Sequence, residues 1–125
     1  MKPLILAFWL WQATPEALTE QGIAAAQAGR ADEAVRLWKQ AAAARHFPAL
    51  FNLGYFFFRQ QNYPEAELWL RQAAQRNPSD YNAHFLLGNA LVQLGKGEQA
   101  LRAWRAASAL WRTVLVNCSM LAAVS

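Results

Sequence analysis

Residues 50–78 read LFNLGYFFFRQQNYPEAELWLRQAAQRNP, and this stretch decides the fold. Leu50, Leu53 and Phe57 recur at helical spacing around Gly54, and Ala66, Leu70 and Ala73 do so again beyond Asn62-Tyr63-Pro64. Proline presets the backbone of a first helical turn, so Pro64 opens a second helix, and Asn77-Pro78 closes it. The stretch is therefore a helical hairpin. Working outward, Leu18-x-x-Gln21-Gly22 and His84-x-x-Leu87-Gly88 match Leu50-x-x-Leu53-Gly54, while Ala34, Ala66 and Ala100 each follow their glycine by 12 residues. The copies are 32 and then 34 residues apart. Registered self-similarity at such a period marks a stacked array of supersecondary units.

Composition agrees with an all-α chain. The protein has 125 residues, 55% of them hydrophobic and 13% aromatic, enough for an apolar core. Alanine is abundant, Gly and Pro are sparse, and β-branched residues are few before the last dozen positions, which favours helix over strand. The formal charge of +4 includes no Lys/Arg run of the kind that marks nucleic-acid-binding tails. One cysteine, Cys118, has no intrachain partner, and with only His46 and His84 beside it the common zinc arrangements are absent from the sequence. No phosphate loop, metal-ligand spacing or nucleophile motif is present, so neither a cofactor nor catalysis is expected. Glu33, Glu65 and Glu98 sit at the starts of second helices, where they favour the helix dipole.

Helices are expected near 16–28, 31–45, 48–60, 64–76, 80–94 and 97–111. Hairpin turns fall at Gly29-Arg30-Ala31-Asp32, Gln61-Asn62-Tyr63-Pro64 and Gly95-Lys96-Gly97, and Asn77-Pro78-Ser79-Asp80 links two hairpins and caps the next helix. Gly and Ala belong where two helices cross closely, with large residues beside them. The shorter first period puts strain at the link around Arg45-His46-Phe47-Pro48.

At the N-terminus, Lys2 precedes an apolar run from Pro3 to Trp11 that is too short for the ~20 residues of a membrane-spanning helix. Two readings stay open for it: a secretory signal, or a helix packed on the first hairpin. Localisation, exported or cytoplasmic, stays open with them. At the other end, 113–125 is nearly all apolar. A short capping helix on the third hairpin is the leading expectation; the rival is an exposed apolar end that promotes self-association.

The registered anchors resemble the tetratricopeptide repeat, whose pattern is W-x2-L-G-x2-Y, then A-x3-F, then a late Pro. The second copy supplies Leu50, Leu53, Gly54, Phe57, Ala66, Leu70, Ala73 and Pro78; the first and third supply Trp38 and Trp104 at the A-x3-F position. The resemblance covers residues 15 to 112. It implies an α-solenoid of three hairpins, 15–46, 47–80 and 81–112, flanked by the segments 1–14 and 113–125. Proteins of this family present a concave groove lined by the first helix of each hairpin. Carried over position by position, the resemblance places Thr19 and Ile23 on that face, then Phe51, Asn52, Tyr55, Phe58 and Arg59, then Asn82, Phe85 and Asn89.

The implied function is binding of a protein or peptide partner, without chemistry. Positions that grip dicarboxylate chaperone tails are Thr19, Ile23, Asn52, Asn82 and Leu86 here, and only Asn52 keeps the expected type, so that ligand is rejected for want of cations. An apolar helix or extended peptide with polar anchors at Asn52, Arg59 and Asn89 is expected instead. A self-assembling structural piece, or an accessory scaffold subunit of a larger complex, is the alternative. Phe57, Trp38 and Trp104 are expected in the core, and His84 as a packed rather than a catalytic histidine. Trp69 and Trp111 are expected partly exposed. Arg36, Lys39, Arg71, Arg102 and Arg105 recur on second helices and form a basic outer ridge.

Overall fold

A computed structural model describes residues 10, 11 and 13–124. Residues 1–9, which hold most of the apolar run on which the two N-terminal readings turn, lie outside the described residues. Among the described residues six helices follow from Pro15 onward: α1 (Pro15–Gln27), α2 (Ala31–Ala42), α3 (Phe47–Arg59), α4 (Tyr63–Arg76), α5 (Tyr81–Gln93) and α6 (Gly97–Val124). The chain divides into two compact units, Met1–Leu53 and Gly54–Ser125, with the division falling inside α3.

In the first unit, α1 packs against α2. Thr14 caps α1, its hydroxyl accepting from the Ala17 N–H, with Pro15 in the first turn. Ala17, Ala25, Ala34 and Ala41 are buried along the crossing, and Trp38 fills the space over Gly22. A Cβ on Gly22 would collide with the Trp38 indole. Trp38 is locked there because its Nε1 donates to the Thr19 carbonyl at 3.1 Å, within the buried interior.

The second unit repeats the device. Gly54 faces Leu70, where an added Cβ would meet Leu70 Cγ at 2.5 Å, and Gly88 faces the Trp104 indole just as closely. α4 packs on α5 and α5 on α6. Leu70, Leu87, Leu91 and the alanines at 66, 73, 90, 100 and 107 are buried between them. Asp80 caps α5, its carboxylate accepting from the Ala83 N–H at 2.8 Å, as the link sequence anticipates.

Four expectations need correction. First, α2 ends at Ala42 rather than near residue 45, because Arg45 takes φ 57° in the link. The left-handed region costs a residue with a Cβ about 1–2 kcal/mol, so the short link does carry local strain. Second, no separate capping helix follows the third hairpin: α6 runs unbroken to Val124, since 113–124 contains no Gly or Pro to stop it. Third, Phe57 is half-buried, in edge contact with Phe56. Fourth, Trp104 is half-buried where Trp38 is fully so.

The hairpin turns expose a further irregularity. Gly29 and Gly95 close α1 and α5 with φ of 81° and 76°, and Gln61, in the same register, adopts φ 59°. Gln61 thus occupies a position that suits glycine. Gln61→Gly is expected to stabilise the chain by about 0.5–1 kcal/mol, read as a raised urea midpoint. An unchanged or lowered midpoint would show that this turn stores no strain.

Candidate functional site

In the first unit, Ile23 is 40% exposed, while Phe51 and Asn52 are half-buried. Phe51 lies against Phe47 with ring centroids 6.1 Å apart. Thr19, expected on the groove, is 4% exposed, and its hydroxyl donates to the Pro15 carbonyl at 2.7 Å. A side chain so buried and so bonded presents no surface to a partner, and Thr19 is a structural residue instead.

In the second unit, α3 continues with Tyr55, 45% exposed, and the Arg59 guanidinium lies 5.9 Å from its ring centroid. That distance is within reach of a cation–π attraction that holds a long side chain over an aromatic face. Phe58 is half-buried, edge-on to Tyr63 at 5.6 Å. On α5, Asn82 is exposed and Phe85 is 41% exposed. Phe85 stacks on Tyr81 at 5.7 Å with the rings 12° from parallel, and Tyr81 also meets Trp111 of α6 at 6.1 Å.

Beside this aromatic ledge opens a crevice of about 270 Å³, lined by Tyr81, Phe85, Asn89, Trp104, Ala107 and Ser108. Asn89 Oδ1 accepts from Trp104 Nε1 at 3.1 Å, which fixes the amide so that its NH2 group remains the donor for a ligand. The structure therefore brings Phe85 and Asn89 together on one crevice. It adds Tyr81 and Trp104 to that crevice and sets Trp111 against Tyr81, which sequence reading did not do. Tyr81 was findable, since it precedes Phe85 by one helical turn; Trp111 was not, because it comes from another helix and meets Tyr81 only when α5 and α6 pack.

Among the described residues, no group of His, Cys, Asp or Glu is placed to hold a metal, and no helix is long and apolar enough to cross a membrane. His84 is half-buried, and its Nε2 donates to the Pro78 carbonyl at 2.9 Å, consistent with a packed histidine. Glu67 of α4 has a displaced titration. Burial pushes it up, but hydrogen bonds from Arg71 and Lys96, with their charges, outweigh burial and hold it below the ordinary 4.5.

Helical hairpins crossing at Gly and Ala define a repeat scaffold of the protein-interaction class. Two models described as tetratricopeptide repeat match residues 19–81 and 57–109, and the chain belongs to this family. Among solved structures, MamA AMB-1 is 28% identical with a TM-score of 0.70, the match covering 77% of this chain and 54% of that one. A crystal structure of MamA is 17% identical with a TM-score of 0.76, over 83% of this chain and 62% of that one, and shows likeness of fold. MamA MSR-1 is 28% identical with a TM-score of 0.66, over 77% of this chain and 56% of that one. The chain thus spans little more than half the length of the first of these relatives. No curated protein sequence matches it.

Proposed function

We propose that this chain captures an apolar or aromatic peptide segment of a protein partner on the exposed face of the first helices of its repeats. The observation that carries this reading is the ledge of Tyr81 and Phe85 beside the crevice that ends at Asn89. Half-exposed, stacked aromatics on a helical scaffold bring large apolar area at small entropic cost, which is the chemistry of binding hot spots. Asn82 of α5, and Ile23, Phe51, Asn52, Tyr55, Phe58 and Arg59 on the first helices of the other repeats, are proposed as further partner-binding residues. Binding then rests on a surface organised in advance, with no covalent step.

Selection of random displayed peptides on the immobilised full-length chain tests this. Enrichment of sequences rich in aromatic and aliphatic residues is expected. The double variant Tyr55→Ala, Phe85→Ala is expected to bind them about tenfold or more weakly, with far-UV circular dichroism unchanged. Equal binding by the variant would move the site away from this face.

A second reading is favoured by one observation. From Trp111, 53% exposed, α6 presents Val114, Leu115, Val116 and Met120 to solvent, and no charged residue occurs from Thr113 to Ser125. An exposed apolar helix end of this kind promotes association between copies. Light scattering is expected to show a mass that rises with concentration for the chain and stays monomeric for Val114→Asp, Leu115→Asp. A monomer at every concentration would remove this reading.

A further inference from the structure

The basic ridge on the second helices is not absorbed by the aromatic face, and in the second unit two of its members meet. Arg71 of α4 and Arg102 of α6 both line a crevice of about 290 Å³ that also takes in α5. Small side chains make the space: Ala74 and Ala103 stand where larger residues would close it. Its apolar lining is Leu87, Leu91 and the alanines at 74, 103 and 106, of which Ala106 is the one that is not buried. Its polar lining includes Gln75 and Gln99, and no acidic residue contributes.

The two arginines are prepared in different ways. Arg71 is held before any ligand arrives, because its Nη2 donates to Glu67 Oε1 at 2.9 Å and to Gln99 Oε1 at 3.0 Å. Glu67 is itself gripped by Lys96 Nζ at 3.0 and 3.1 Å. One carboxylate thus serves two cations, which leaves the cluster with excess positive charge, and leaves the Nε and Nη1 donors of Arg71 uncommitted. Arg102 is exposed and makes no hydrogen bond or ion pair among the described residues. A guanidinium already fixed loses little freedom on binding, and a second, free one closes on the ligand.

We infer that this crevice is a second binding site, selective for an acidic peptide segment: a Glu or Asp side chain between Arg71 and Arg102, with an adjacent aliphatic side chain over Ala106. A bare phosphate makes no use of the apolar lining. A peptide uses both halves, and the Gln75 amide, without a partner among the described residues, matches a peptide backbone group. Charge-assisted bonds from guanidinium to carboxylate supply the selectivity. The site shares no residue with the aromatic ledge and does not rest on it.

Fluorescence anisotropy with a dye-labelled, end-blocked pentapeptide Leu-Glu-Leu-Glu-Leu, and the same peptide with Gln for Glu, tests the assignment on the full chain. The Glu peptide is expected to bind, the Gln peptide about tenfold or more weakly. Arg102→Gln is expected to lower Glu-peptide affinity by about the same factor, and because Arg102 holds nothing else in place its unfolding midpoint should match the parent. Tyr55→Ala, Phe85→Ala should leave this affinity unchanged. Equal binding of both peptides, absence of binding, or indifference to Arg102→Gln overturns the site. Displacement of the peptide by equimolar inorganic phosphate overturns its selectivity for peptide.

Discussion

Leu70→Ala is expected to cost the chain about 3–4 kcal/mol, because Leu70 is wholly buried and its loss leaves a cavity that helices packed on both sides cannot close. Gly54→Ala is expected to cost less, for a calculable reason. Alanine gains about 1 kcal/mol over glycine in a helix interior, but its Cβ would lie 2.5 Å from Leu70 Cγ, and overpacking of that order costs about 1–3 kcal/mol. The collision offsets or exceeds the gain, with a net loss of about 0–2 kcal/mol. In the Leu70→Ala background the collision partner is gone, and only the Leu70 backbone nitrogen, at 3.2 Å, remains close. Gly54→Ala should then become neutral or stabilising, a coupling of about 2 kcal/mol. Urea unfolding of the four proteins in this cycle reads it directly. Additive losses would mean that the two helices part rather than press on Leu70.

Gly22→Ala is the second substitution with a large expected effect, and Gly88→Ala is its control. Both would drive a methyl into an indole. Trp38 is 5% exposed and bonded to the Thr19 carbonyl, so displacing it uncovers a large apolar surface and strands a buried acceptor. Trp104 is half-buried and bonded to a side chain, Asn89, that can follow it. A loss of about 2–4 kcal/mol is expected at Gly22 and about 1 kcal/mol or less at Gly88. Near-ultraviolet circular dichroism should show the Trp38 signal weakened in the first variant. Equal losses would mean that the Thr19 bond adds nothing to the hold on Trp38.

The relation between these glycines and their bulky partners is legible in the chain itself, because it follows from spacing: a gap of 16 residues separates Gly22 from Trp38, Gly54 from Leu70 and Gly88 from Trp104. The candidate aromatic face is legible in part. Phe85 and Asn89 fall one helical turn apart and do share a crevice, and Tyr55 is exposed as its position implies. Thr19 is misplaced by the same logic, because helical spacing gives the direction of a side chain but not what lies over it. The outer crevice is invisible in the sequence, since Arg71, His84 and Arg102 come from three helices and meet only when these pack.

By itself the sequence determined the class of the protein: three registered copies of Gly, Ala and a bulky anchor admit close-crossing helical hairpins, and the Gly, Pro and Asp residues between them mark the turns. These are local and periodic properties, which a single chain displays openly. Tertiary structure alone decided that Arg45 and Gln61 are held in left-handed conformations and that the basic ridge contains a shaped crevice. Each of these depends on energies shared between segments distant in the chain, where packing outweighs a residue's own preference by the roughly one or two kcal/mol that local propensity amounts to.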